Sequence, residues 1–63
     1  MSIGENIKQR REVANLTQKE LAEMLEVSQS MIAQLERGTK TLTVPLGKEI
    51  AKALNCDLTD LTN

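Results

Sequence analysis

Apolar residues recur along this chain at the three- and four-residue spacings of a helix face, and period-two alternation is never sustained. The pattern predicts five short helices. The first runs from about Ile3 to Ala14, where Ile3, Ile7, Arg11 and Ala14 share one face. Asn15 follows, a residue that tolerates the left-handed conformation of a helix end. Thr17 caps the second helix, and Glu20 three residues on completes a capping box. Leu21 and Leu25 form its buried face with Ala22 and Met24 beside them, and it ends near Leu25. Ser28 caps a third helix that runs to about Arg37, with Ile32 and Leu35 inward and Gly38 as its terminating glycine. After the polar connection Thr39 to Leu42, Thr43 caps a fourth helix with Pro45 in its first turn, where the missing N–H costs nothing. Ile50, Ala51 and Leu54 are its inner face. Asp57 caps a last short helix, with Asp60 at its third position and Leu58 and Leu61 inward.

Neither linker nor repeat interrupts the chain, so residues 1–63 are expected to form a single domain. Apolar residues make up 40% of it, too many for a disordered tail. Phe, Tyr and Trp are absent, so the core must be aliphatic. Cys56 is the single cysteine and histidine is absent, which excludes an internal disulfide, Cys/His zinc spacings and most His-based catalysis. No acid–base pair, cofactor or small-molecule ligand is evident, so an enzyme is not expected. No apolar run is long enough to span a membrane, and Met1 to Arg11 lacks the apolar stretch of a signal peptide. A small domain without disulfides or metal fits a reducing cytoplasm.

The second and third helices, joined by a tight turn and with Ser28-Gln29-Ser30 opening the latter, form a helix-turn-helix unit. Helical bundles of other kinds also contain such turns. The net charge of −1 argues against nucleic acid, whose binders are usually basic.

The wording of the sequence is more specific. Leu16-Thr17-Gln18-Lys19-Glu20-Leu21-Ala22 resembles the "LTQEELA" run of the Cro and phage-repressor (XRE) helix-turn-helix family. Val27 to Ile32 followed by Leu35-Glu36-Arg37-Gly38 is similar to that family's recognition helix and its "ERG" ending, and Ile50 to Asn55 to its fourth helix. The resemblance covers nearly the whole chain and implies an all-α, five-helix repressor-like DNA-binding domain. Two positions depart from the pattern. Glu26 stands where the family usually has Gly, and a non-Gly residue held at positive φ costs roughly 1–2 kcal/mol. Leu42 lies near a frequent Pro.

By periodicity alone, Gln29, Ser30 and Gln34 are the solvated face of the third helix. The resemblance makes them base contacts, since Gln can bond bidentately to adenine in the major groove, and Ala33 can meet a thymine methyl. Thr17, Gln18, Ser28, Arg37, Thr39, Lys40 and Thr41 are candidate phosphate contacts, because helix N-termini and cations attract anions. Lys8, Arg10 and Lys19 could lie at the edges of that set. The resemblance also implies an ion pair between Arg11 and Glu36, which would neutralise a guanidinium on the inner face of the first helix.

These readings together predict a cytoplasmic transcriptional regulator, a repressor of a prokaryote or phage, bound to a palindromic double-stranded DNA operator. With the chain stopping after the last helix, no sensing domain is expected and the homodimer should be weak, completed on DNA. The alternative is a protein-interaction module, such as the antidote half of a toxin–antidote pair, which the sequence pI of about 5.3 favours. Three motif-like strings are read as accidental: the sequon at Asn15, the glycine-led run Gly38 to Thr41, and Cys56 as a nucleophile rather than a packed thiol.

Overall fold

The helices start where side chains can take up the N–H groups that a first turn leaves unpaired. In the computed structural model, which describes residues 2–63, they are α1 (Ile3–Val13), α2 (Gln18–Leu25), α3 (Gln29–Arg37), α4 (Val44–Ala53) and α5 (Leu58–Thr62). The Thr17 hydroxyl accepts the Glu20 N–H at 3.0 Å, and Glu20 accepts the Thr17 N–H at 2.8 Å. Ser2 and Glu5 form the same reciprocal box at the head of α1, at 3.1 and 3.0 Å. Ser28 caps α3 by accepting from Met31, and Thr43 caps α4 by accepting from Leu46.

Four helices stop in one way. Asn15, Glu26, Gly38 and Asn55 adopt φ of 60°, 57°, 82° and 57°. The N–H of each next residue reaches back to the carbonyl five residues earlier: Leu16 to Arg11, Val27 to Ala22, Thr39 to Gln34 and Cys56 to Ala51, at 2.9–3.1 Å. This left-handed termination satisfies the last carbonyls and reverses the chain. Only Gly38 meets it without a side-chain penalty. Glu26 lies at φ 57°, ψ 40°, so the turn between α2 and α3 retains the left-handed geometry despite the missing glycine.

The core is aliphatic and every helix supplies it: Ile7 from α1, Leu21 and Ala22 from α2, Ile32 and Leu35 from α3, Ile50 and Ala51 from α4, Leu61 from α5, with Leu54 beyond α4. Leu16, Leu25, Val27, Met31, Leu42, Leu46, Ala53 and Cys56 pack around it. Three positions differ from the apolar pattern. Ile3 and Ala14 are exposed, because α1 turns Gly4, Ile7 and Arg11 inward instead. A Cβ at Gly4 would stand 2.6 Å from the Leu35 carbonyl oxygen, so the bare backbone lets α1 cross the end of α3 in near contact. Met24 is also exposed, at the rim of an open groove between α2 and α4 that Leu25, Glu49, Lys52 and Ala53 complete.

Asn6 is buried on α1, and its amide donates to the Leu61 and Asn63 carbonyls at 2.9 and 2.7 Å. It caps the C-terminal end of α5 with a side chain from the first helix.

Candidate nucleic-acid interface

A helix crossing the surface of a small bundle buries one stripe and leaves the opposite one for solvent or a partner. On α3 the buried stripe is Ile32 and Leu35. The other side carries Gln29 and Ser30, both exposed, and the partly buried Ala33 and Gln34 one turn further along. Among the described residues, the side chains of Gln29, Ser30 and Gln34 make no hydrogen bond within the chain, so their donors and acceptors are uncommitted. Arg37 continues the stripe and is exposed.

The residues assigned to phosphate divide by what their side chains already do. Lys40 and Thr41 are exposed in the connection after α3. The Thr39 hydroxyl donates to the Gln34 carbonyl at 3.3 Å and is spent locally. The Thr17 and Ser28 hydroxyl oxygens accept backbone N–H groups, each retaining an O–H to donate. The first-turn N–H groups of Gln18 and Lys19 fall outside the helical ladder and can face an anion. The Gln18 side chain is engaged, since its amide nitrogen donates to Glu36 Oε1 at 2.9 Å. Of the edge candidates, Lys8 and Lys19 are exposed. Arg10 instead pairs with Asp60 on α5 at 3.4 Å.

Beneath this surface lies one charged cluster. Arg11 Nε donates to Glu36 Oε2 at 2.7 Å and Nη2 to Oε1 at 3.2 Å, a bidentate fork. Arg11 Nη1 donates to the Leu16 carbonyl at 2.7 Å. The two side chains are 10% and 4% exposed. The hydrogen bond to Glu36 raises the Arg11 pKa above its ordinary value, against the opposing pull of burial. Both charges are therefore compensated at short range, and the fork ties α1 to the last turn of α3.

Other chemistry is sparse. Among the described residues, no group of three His, Cys, Asp or Glu side chains could hold a metal ion, and no helix is long and apolar enough to cross a membrane. Cys56 is partly buried, and that burial pushes its thiol pKa up, away from the reactive thiolate.

Sequence reasoning passed over Gly4, Asn6 and the Gln18–Glu36 bond. Gly4 was legible, since Gly4, Ile7 and Arg11 stand at helical spacing. The Asn6 and Gln18 bonds reach across the fold and leave no local signal.

The helix-turn-helix family model matches residues 7–61. The chain belongs to the helix-turn-helix family. No curated protein matches the sequence. Solved structures give close superpositions on the chain. The P22 c2 repressor protein, solved in complex with the synthetic operator 9T in the presence of Tl+, superposes with a TM-score of 0.92 at 30% identity. That match covers 100% of this chain and 96% of the repressor chain. Two structures of the clp gene regulator ClgR from Corynebacterium glutamicum superpose with TM-scores of 0.89 and 0.88 at 30% identity, covering 94% of this helix-turn-helix chain. This chain spans 63% of the ClgR chain in the first and 77% in the second. The all-helical, five-helix reading of the sequence is thus the fold found, as is its resemblance to phage repressors.

Proposed function

We propose that this chain is a sequence-specific double-stranded DNA-binding regulator of transcription, acting by binding alone, with α3 in the major groove. The observation that carries the reading is the superposition of the entire chain on a repressor solved on its operator, at a TM-score of 0.92. The local geometry supports it. Gln29, Ser30, Ala33 and Gln34 form a stripe one helical turn long, and two glutamines with free amide groups suit adenine edges. Lys40, Thr41, Arg37, Ser28, Thr17 and the first turn of α2 supply donors around that stripe for phosphate oxygens. Gln18 and Thr39 contribute through their backbone or by holding neighbours, because their side chains are engaged.

A net charge of −1 is reconciled with binding by having most glutamates face away from the duplex. Glu36 is paired with Arg11, Glu5 caps α1, and Glu20 keeps its charge as the capping carboxylate in the first turn of α2. Binding then depends on local donors, and long-range steering is weak. We place the protein in a prokaryotic or phage cytoplasm, as one domain pairing weakly with a second copy on a palindromic operator. Half-site centres would lie about 34–36 Å apart, one duplex turn.

Selection from a pool of random duplexes at a stated salt concentration tests the reading. The expected result is enrichment of one palindromic site with salt-dependent affinity. Failure to enrich any site would favour the protein-interaction module, the reading that the acidic pI supports.

A further inference from the structure

Two helices that meet only through apolar side chains are held together without being held in register, because burial is not directional. The α2–α3 pair has Leu21 and Ala22 against Ile32 and Leu35 in its shared core. At one end it is clamped by the turn through Glu26, Val27 and Ser28. At the other end α2 begins, eight residues and about 10 Å away by helical rise. Slack at the turn would be amplified over that length, at the end that carries Thr17 and the free N–H groups of the first turn.

The structure places a directional bond at that far end. Gln18 Nε2 donates to Glu36 Oε1 at 2.9 Å, and among the described residues it is the one side-chain hydrogen bond joining α2 to α3. Its acceptor cannot drift. Glu36 is held by two bonds from Arg11, and Arg11 by the Leu16 carbonyl just ahead of the Thr17 cap. Leu16 O, Arg11, Glu36 and Gln18 thus link the head of α2 to the tail of α3, with α1 supplying the bridge. The acceptor is a carboxylate, so the bond is charge-assisted and stronger than a neutral one.

We infer that Gln18 is a positioning residue, which through Glu36 fixes the angle of α2 against the reading helix and so sets where the head of α2 meets a duplex backbone. The fixing of the angle stands by itself. Its consequence for DNA rests on the function proposed above.

The test uses the full chain and the variant Gln18→Met, which keeps length and removes the donor. Residual dipolar couplings measured without DNA report the α2–α3 angle. A rotation of α2 against α3, with a fold still cooperative in thermal melting, is the expected result. An unchanged angle would overturn the inference. Affinity for the selected duplex should fall about tenfold, the scale of one partly exposed charge-assisted bond. The salt slope should be unchanged, since no charge is lost. A second background, Arg11→Met with Glu36→Leu, removes the acceptor while filling its space. There Gln18→Met should change affinity little, as coupled residues require. An undiminished tenfold loss in that background would mean that Gln18 grips phosphate directly, and would also overturn the inference. If the wild-type chain selects no duplex, the proposed function fails while the dipolar couplings still decide the positioning role.

Discussion

Replacing Glu36 by glutamine changes one atom and removes one charge, at a site where both effects can be followed. Glu36 accepts from Arg11 Nε, Arg11 Nη2 and Gln18 Nε2, at 2.7, 3.2 and 2.9 Å. The glutamine amide offers one acceptor oxygen, and its NH₂ would face a donor. At least one Arg11 bond is lost and the guanidinium loses its counter-charge with its side chain 10% exposed. Breaking a buried pair from one side typically costs about 3–5 kcal/mol. The Leu16 carbonyl still accepts from Arg11 Nη1. The lower end, about 3 kcal/mol, is therefore expected. For a chain of 63 residues, total stability is about 3–9 kcal/mol at ordinary per-residue values. The variant should keep only about 0–6 kcal/mol of that stability, a loss large enough to read directly. With no Trp or Tyr the chain lacks useful intrinsic fluorescence, so urea denaturation is followed by far-ultraviolet circular dichroism. Replacing both partners, as Arg11→Met with Glu36→Leu, removes the unpaired charge and should recover most of the loss. A Glu36→Gln unfolding free energy within a few tenths of a kcal/mol of wild type would refute the argument, since the pair would then be solvated enough to be dispensable.

Glu26→Gly should stabilise the fold by up to about 1 kcal/mol, the relief of left-handed strain less the greater chain entropy of glycine, read in the same urea titration. Gly4→Ala should destabilise it by about 1–3 kcal/mol despite alanine's better helix propensity, because the new methyl meets backbone carbonyls that cannot move aside. The Glu5 pKa is held below the usual glutamate range by its bonds to Ser2. A folded-state pKa below the unfolded one means that the capping contribution is present above the unfolded value and lost as pH falls through the folded one, so Ser2→Ala should move the Glu5 titration upward in an NMR pH series. Gln29→Ala or Gln34→Ala should weaken the selected duplex far more than random DNA, whereas Lys40→Ala should weaken both alike and lower the log–log salt slope by about one.

Helix boundaries were legible because this chain marks them with local chemistry. Thr17, Ser28, Thr43 and Asp57 each precede a helix, and Asn15 and Gly38 each follow one. Capping depends on residues within one turn of each other, so spacing along the chain is enough to find it. Helix faces were less legible. A period of 3.6 residues fixes a stripe only to within about one position, and on α1 the stripe centres on Gly4, Ile7 and Arg11 while Ile3 stands outside. Nothing local distinguishes Met24 from Leu25 as the buried member, because the choice depends on where α4 crosses. Of the candidate surface, the free stripe on α3 follows from helical periodicity. The engagement of Gln18 by Glu36 and of Arg10 by Asp60 joins residues far apart in sequence.

The distribution of hydrogen bonds over α3 bears on how such a domain can change its target. Ile32, Leu35 and Glu36 hold the helix in the bundle, through the core and through Arg11 and Gln18. Gln29, Ser30 and Gln34 hold nothing by their side chains among the described residues. Substitution at surface positions without partners usually changes stability by no more than about 0.5 kcal/mol. Discrimination at a base edge is worth roughly 1–3 kcal/mol. On the proposed function, exchanging the exposed Gln29 and Ser30 can therefore alter base preference by more than it alters folding. Exchanging Glu36 does the reverse, since it breaks the fork that ties α1 to α3 and leaves the stripe intact. The two sets interleave along nine residues of one helix, separated by which side of it they occupy.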